Sequence, residues 1–308
     1  MQMGFFAVFV LLLCAAGISP SWADSAGSAP ATLLLDGRSL LETRRAVLSG
    51  DASAADGIAR LRRDADKALR EPIRTVTDKP FTPPSGDKHD YVSLSIYYWP
   101  NPNSPDGLPY VSRDGEVNPE TKQYDSDRLF SMCAAIKNLT LAYYLTGQES
   151  YAERAAEQLR AWFLDEKTRM NPNLKYGQLV KGKSEGSRWG IIDTYRLPSV
   201  IDGDALLRTS PSWPAADHQR LQKWFSDYLQ WLQTSELGKT EARATNNHGV
   251  WYDVQTASYA LFCGEKERAH QILEESGKKR IAEQIDLDGS QPLELKRTWN
   301  GVLAAPPH

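Results

Sequence analysis

Residues 126–164 read SDRLFSMCAAIKNLTLAYYLTGQESYAERAAEQLRAWFL, and this stretch decides the fold class. Leu129, Cys133, Ile136 and Leu139, continued by Leu141 and Tyr144, fall at helical spacing up to Gly147, a C-terminal stop. A second helix over Ser150 to Leu164 puts Ala152, Ala155, Leu159 and Phe163 on one face. The short connection between the two predicts an antiparallel hairpin.

The same pattern extends outward. Residues 56–70 align Ile58, Leu61, Ala65 and Leu69 on one face. Residues 214–234 carry Leu221, Trp224, Phe225, Tyr228, Leu229 and Leu232 at helical steps, and 247–263 with 266–275 form a further pair. Tyr144-Leu145-Thr146-Gly147 followed by Ala152 and Ala155 is echoed by Leu261-Phe262-Cys263-Gly264 followed by Ala269. Repeated hairpins with long, irregular linkers predict an all-α protein, an incomplete α/α toroid whose loops and helix ends converge on a cleft. Residues 80–120, with their prolines, glycines and asparagines and one β-like run from Tyr91 to Tyr98, read as a long ordered arm.

The chain of 308 residues is 41% hydrophobic and 24% charged with a net charge of -3, which excludes disorder, collagen-like repeats and a disulfide-dense miniprotein. The near-neutral charge gives no footprint for nucleic acid, although a local basic cleft for a polyanion is compatible with it. Residues 1–23 read as a secretory signal peptide, with Ser21 and Ala23 as the small residues before a cut at Asp24. A retained anchor, or a lipoprotein site at Cys14, is the alternative. The expected product is periplasmic or secreted, monomeric and free of the membrane. It has a lead-in over 24–54 and a toroid domain over 55–308. Cys133 and Cys263 read as two buried thiols or one disulfide.

The densest polar segment is Asn246-Asn247-His248-Gly249-Val250-Trp251-Tyr252-Asp253, at the head of an apolar helix. Asn246 can cap that helix, and His248 and Tyr252, four apart, share a face. The segment reads equally as an ordinary capped helix and as a site for an anionic ligand. Lys181, Lys183 and Arg188 lie in a loop after Asn171-Pro172-Asn173 and Tyr176-Gly177-Gln178; it is either a solvated surface or the wall of an acidic-sugar cleft. His89 and the run Tyr97-Tyr98-Trp99 either stack a sugar or pin the arm to the barrel. No paired carboxylates at glycosidase spacing, phosphate loop, nucleophile elbow or metal motif appears, so no cofactor is expected.

Several segments together resemble the alginate lyase family of polysaccharide lyases. They are Lys88-His89-Asp90-Tyr91, Tyr97-Tyr98-Trp99-Pro100, Asp106-Gly107-Leu108-Pro109-Tyr110, Met170-Asn171-Pro172-Asn173-Leu174, Gly190-Ile191-Ile192-Asp193-Thr194 and Asn246-Asn247-His248-Gly249. The resemblance runs in order from about residue 80 to 298. It implies β-elimination of a uronic acid polymer without a required metal. It implies that Asn247 neutralises the uronate carboxylate, that His248 neutralises or acts as base, and that Arg297 lies in the same cleft. His89, Tyr97, Tyr98, Trp99, Asn173, Gln178, Lys181, Arg188 and Asn246 are then substrate-binding candidates. The family also uses a tyrosine as acid. About seven residues past Arg297, where it is expected, this chain has alanines and reads on to Pro306-Pro307-His308. A C-terminal truncation is therefore expected, leaving Ile272, Leu273 and Ile281 uncovered and the chain marginally stable. Tyr252, Tyr97 and Tyr98 are the substitute donors. A toroidal hydrolase using Asp193, Asp202, Asp204 or Asp253, and a non-catalytic polysaccharide-binding protein, are the competing readings.

Overall fold

A computed structural model of the chain describes residues 27–295. It is mostly helical, and the helices pair as the sequence predicts. Helix α1 (Gly37–Ser49) and α2 (Ala52–Arg70) pack on one another and on α3 (Asp125–Thr146). The arm between them carries three short strands, β1 (Val92–Leu94), β2 (Tyr98–Trp99) and β3 (Val111–Ser112). Helix α4 (Glu149–Leu159) returns along α3 and runs into a π-helical turn, Arg160–Leu164. Then come β4 (Tyr176–Leu179), a 3-10 turn (Arg188–Thr194), α5 (Pro198–Leu207), α6 (Ala215–Thr234), α7 (Glu236–Ala242), α8 (Asn247–Phe262), α9 (Lys266–Ser276) and α10 (Pro292–Leu295). α5 packs beside α3, α8 beside α6, and α9 beside α8, which gives the incomplete α/α toroid.

The aromatics fill the helical core. Phe163 meets Trp224 edge-on with centroids 4.7 Å apart, and Phe225 lies 5.1 Å from Tyr259. Trp162, Tyr143, Tyr151 and Tyr228 are sealed in the same cluster. Each large apolar side chain buried there contributes roughly 1.5–3 kcal/mol. A smaller cluster, with Val92, Leu94, Tyr110, Tyr124 and Tyr176, seats the arm.

The lead-in expected over 24–54 is different in the structure. It holds α1, and the Asp202 carboxylate accepts the backbone N–H groups of Leu33, Leu34 and Leu35, the last at 2.9 Å. The folded unit thus begins no later than Leu33, ahead of the boundary expected at 55. The signal segment over 1–23 lies outside the described residues. Cys133 and Cys263 are both free thiols, and burial pushes each up to about 12. Leu273 and Ile281 are exposed, as expected, and Ile272 is half-buried. Among the described residues no helix is long and apolar enough to cross a membrane.

Candidate active site

β1 pairs in parallel with β4, Val92 opposite Tyr176 and Leu94 opposite Leu179, with an irregularity between the two pairs. At that irregularity Gln178 is the one described non-glycine residue with positive φ, 46°. Holding a side chain there costs about 1–2 kcal/mol, which the surroundings must offset. The Gln178 N–H donates to Ser93 Oγ at 2.7 Å, and its Nε2 donates to Asp193 Oδ1 at 2.9 Å. Asp193 reaches this position because the 3-10 turn crosses β4 backbone on backbone. A Cβ on Gly190 would sit 2.4 Å from the Gly177 carbonyl carbon. The Ser93 and Tyr91 hydroxyls donate to the other Asp193 oxygen. Burial pushes the Asp193 carboxyl above its ordinary value, against the hydrogen bonds of Gln178, Ser93 and Tyr91.

Gln178 and Asp193 open onto a cleft of about 550 Å³ whose other walls include Ile96, Phe130, Tyr195 and Trp251. Tyr195 stands between Phe130, 6.0 Å from its ring, and Trp251, at 5.0 Å. Such a wall suits the apolar faces of sugar rings, and Thr121, Ser126 and Gln178 add polar groups to the same lining. The Tyr195 hydroxyl accepts from Arg196 Nε at 2.7 Å.

One turn before Trp251, His248 heads α8. Asn246 caps the helix, its Oδ1 accepting the His248 N–H at 3.1 Å, and the Asn247 N–H donates to Glu294 Oε2 at 2.8 Å. The ring is buried, and its Nδ1 hydrogen-bonds to Glu241 Oε1 on α7. Glu241 Oε2 in turn accepts from Arg188 Nη1 at 2.7 Å. His248 is close enough to Asp193 for its charge to favour the carboxylate. Arg280 locks the entry to the helix: it donates to the carbonyls of Ala242 and Ala244 at 2.8 and 2.6 Å and to Asp253 Oδ2 at 2.8 Å. Among the described residues no grouping of His, Cys, Asp and Glu could hold a metal ion.

A family model described as alginate lyase matches residues 75–300. The chain belongs to the alginate lyase family. Membership places it among the polysaccharide lyases. A solved structure, that of an alginate lyase from Bacteroides ovatus, is 41% identical, with a TM-score of 0.83 over 86% of this chain and 70% of that one. No curated protein matches the chain.

In this member of the alginate lyase family the residues singled out from sequence divide into two sets. Gln178 lines the cleft; Asn246, Asn247 and His248 form the head of α8; Arg188 joins them through Glu241. The other set pins the arm. His89 Nδ1 bonds to the Arg169 carbonyl at 2.6 Å, and Asn173 Nδ2 to Asp90 at 3.3 Å. Tyr98 and Trp99 pair with Ser112 and Val111, and the Trp99 indole donates to the Glu116 carbonyl at 2.9 Å. The Tyr97 carbonyl accepts the Arg113 N–H at 2.8 Å. Lys181 is paired with Glu120. Tyr252 shares the face of His248, but its hydroxyl donates to the Leu232 carbonyl at 3.0 Å inside the core. Burial, reinforced by the Asp253 charge, pushes it up to about 12. Arg297 lies outside the described residues.

The carboxylates offered for a hydrolase are each engaged elsewhere. Asp202 holds the Leu33–Leu35 backbone, Asp204 takes the Trp213 indole and His218, and Asp253 takes Arg280. Of these four carboxylates only Asp193 lines the cleft, and three donors bind it. Sequence reasoning missed Glu241, Tyr195 and Arg280. Glu241 sits seven residues before His248 on a different helix, a spacing without a signature. Tyr195 and Arg280 carry no local motif.

Proposed function

We propose that this chain cleaves a uronic acid polymer of the alginate type by β-elimination, acting as a monomer in the periplasm or outside the cell. The observation that carries the reading is the seat of His248: a buried imidazole held by a carboxylate at the head of the helix whose Trp251 walls the cleft, and within charge range of the cleft-lining Asp193. The C5 proton of a uronate is weakly acidic while the neighbouring carboxylate is charged. Asn247 and His248 at the positive end of α8 neutralise that carboxylate, as Arg297 would from the end of the chain, so that an enolate-like intermediate can form. His248 or a phenolate takes the C5 proton. The C4–O bond breaks, a C4=C5 double bond forms, and an acid protonates the leaving oxygen. Of the tyrosines described, Tyr195 is the one on the cleft wall, and we assign it that proton.

The test is incubation with polymannuronate, polyguluronate and glucuronan. A lyase yields a 4,5-unsaturated end that absorbs in the near ultraviolet. New reducing ends without that absorbance would mean hydrolysis, and binding without either would mean a non-catalytic protein.

A further inference from the structure

We infer that Glu241 is a positioning residue for His248, fixing which ring nitrogen works, and that Arg188 acts through Glu241 rather than on substrate. The inference rests on the reading of His248 as a working group of the cleft. Glu241 is 1% exposed and touches His248 Nδ1 with one oxygen and Arg188 Nη1 with the other. An ionised carboxylate only accepts hydrogen bonds. Nδ1 therefore carries hydrogen whether the ring is neutral or charged, and the lone pair of the neutral ring is on Nε2. Nε2 has no partner among the described residues. A buried carboxylate needs an opposing charge, and Arg188 supplies it from the 3-10 turn.

The other charged groups near the ring are engaged elsewhere. Asp193 is bound by Gln178, Ser93 and Tyr91; Arg280 by Asp253 and two carbonyls; Glu294 by the Asn247 N–H. Among the described residues Glu241 alone hydrogen-bonds to the imidazole. Both roles open to His248 use this arrangement. Taking the C5 proton needs the lone pair on Nε2, and neutralising the uronate needs a hydrogen on Nε2 of a ring already protonated at Nδ1. A carboxylate on Nδ1 fixes the orientation of the ring and leaves Nε2 for either role.

The experiment pairs nitrogen NMR of the histidine rings with kinetics. In the unaltered chain, the neutral His248 ring is expected as the Nδ1–H tautomer. Glu241→Gln places an amide there, whose N–H can donate to Nδ1 and move the hydrogen to Nε2. That variant is expected to show the Nε2–H tautomer, a kcat lower by about 100-fold or more, a KM within about 3-fold, and a displaced pH profile. Glu241→Asp is expected to restore the tautomer and part of kcat. Arg188→Gln is expected to lower kcat more than it raises KM, whereas loss of a substrate contact would raise KM first. An Nε2–H tautomer in the unaltered chain overturns the inference even if no variant folds. So does a folded Glu241→Gln variant with unaltered kcat and pH profile. If no polymer yields unsaturated product, the lyase reading fails, and the tautomer measurement still decides the role of Glu241.

Discussion

Lys79 Nζ and Asp125 Oδ2 meet at 3.0 Å with neither side chain exposed to solvent. The pair joins the arm to the head of α3. Asp125 also accepts the Val92 N–H at 2.9 Å, and Lys79 also donates to the carbonyls of Val76 and Lys88. Burial pushes Lys79 down and Asp125 up to about 6, and each partner's charge opposes the other's shift. β1, and through it β4 and Gln178, is seated on this pair.

Asp125→Asn is therefore expected to destabilise the chain by about 3–5 kcal/mol, because it leaves a buried ammonium without its counter-charge. Replacing both residues with apolar ones of similar volume is expected to recover most of that loss. Denaturant unfolding of the three proteins checks this. A single variant within about 1 kcal/mol of the unaltered chain would mean that the pair does not hold the arm.

The helical hairpins were legible because their signal is local. Leu129, Cys133, Ile136 and Leu139 specify one buried face of α3, and Gly147 ends it with φ 71°. α1 was not legible, because it buries only Leu41 and Arg44 and so has no stripe to read. The head of α8 was legible as a polar cap on an apolar helix. The partner that orients His248 was not, since Glu241 reaches it only after α7 and α8 fold against each other. The arm aromatics show the opposite failure. Tyr98 and Trp99 look like a sugar platform in sequence, yet their backbones pair with Ser112 and Val111 in a small hairpin.

The two tyrosines nearest the question should behave differently. Tyr252→Phe removes only the hydrogen bond to the Leu232 carbonyl, so a stability loss of about 0.5–1.5 kcal/mol and a kcat within about 3-fold are expected. Tyr195→Phe, on the cleft wall, is expected to lower kcat by about 100-fold or more with little change in melting. Steady-state kinetics with thermal melts separate the two. Loss of elimination in Tyr252→Phe alone would move the acid to that residue.

Asp193 gives a pH signature of defined sign. Its pKa is raised in the folded chain, chiefly by burial. The native state then holds this proton more tightly than the unfolded state does. The contribution to stability is fullest below the ordinary carboxyl value and falls as pH rises through the folded one. The unaltered chain is thus expected to lose stability relative to Asp193→Asn as pH is raised from about 4 to about 7. Melting both proteins across that range reads the difference. A gap that stays constant, or that moves in favour of the unaltered chain, would mean that the three hydrogen bonds outweigh burial.

Gly249 is the position where the smallest change should reach the site. A Cβ added there would lie 2.2 Å from the Ala244 carbonyl oxygen and 2.6 Å from Arg280 Nη1. The oxygen belongs to the backbone that Arg280 clamps, so it cannot yield without loosening the hydrogen bonds to Ala242, Ala244 and Asp253. The head of α8 must move instead, carrying His248 with it. His248 is held to Glu241 by one hydrogen bond, and a displacement of about 1 Å can lower a rate on the order of 100-fold. Gly249→Ala is accordingly expected to stay folded, with its helical circular dichroism intact, while kcat drops by about that factor. Truncating the clamp as well, in Gly249→Ala with Arg280→Ala, gives the methyl room but frees the 242–246 segment. The double variant is expected to melt lower than Gly249→Ala and to regain little activity. If Gly249→Ala keeps kcat within about 3-fold, the position of the α8 head does not limit the reaction, and the placement of His248 by its neighbours matters less than the geometry implies.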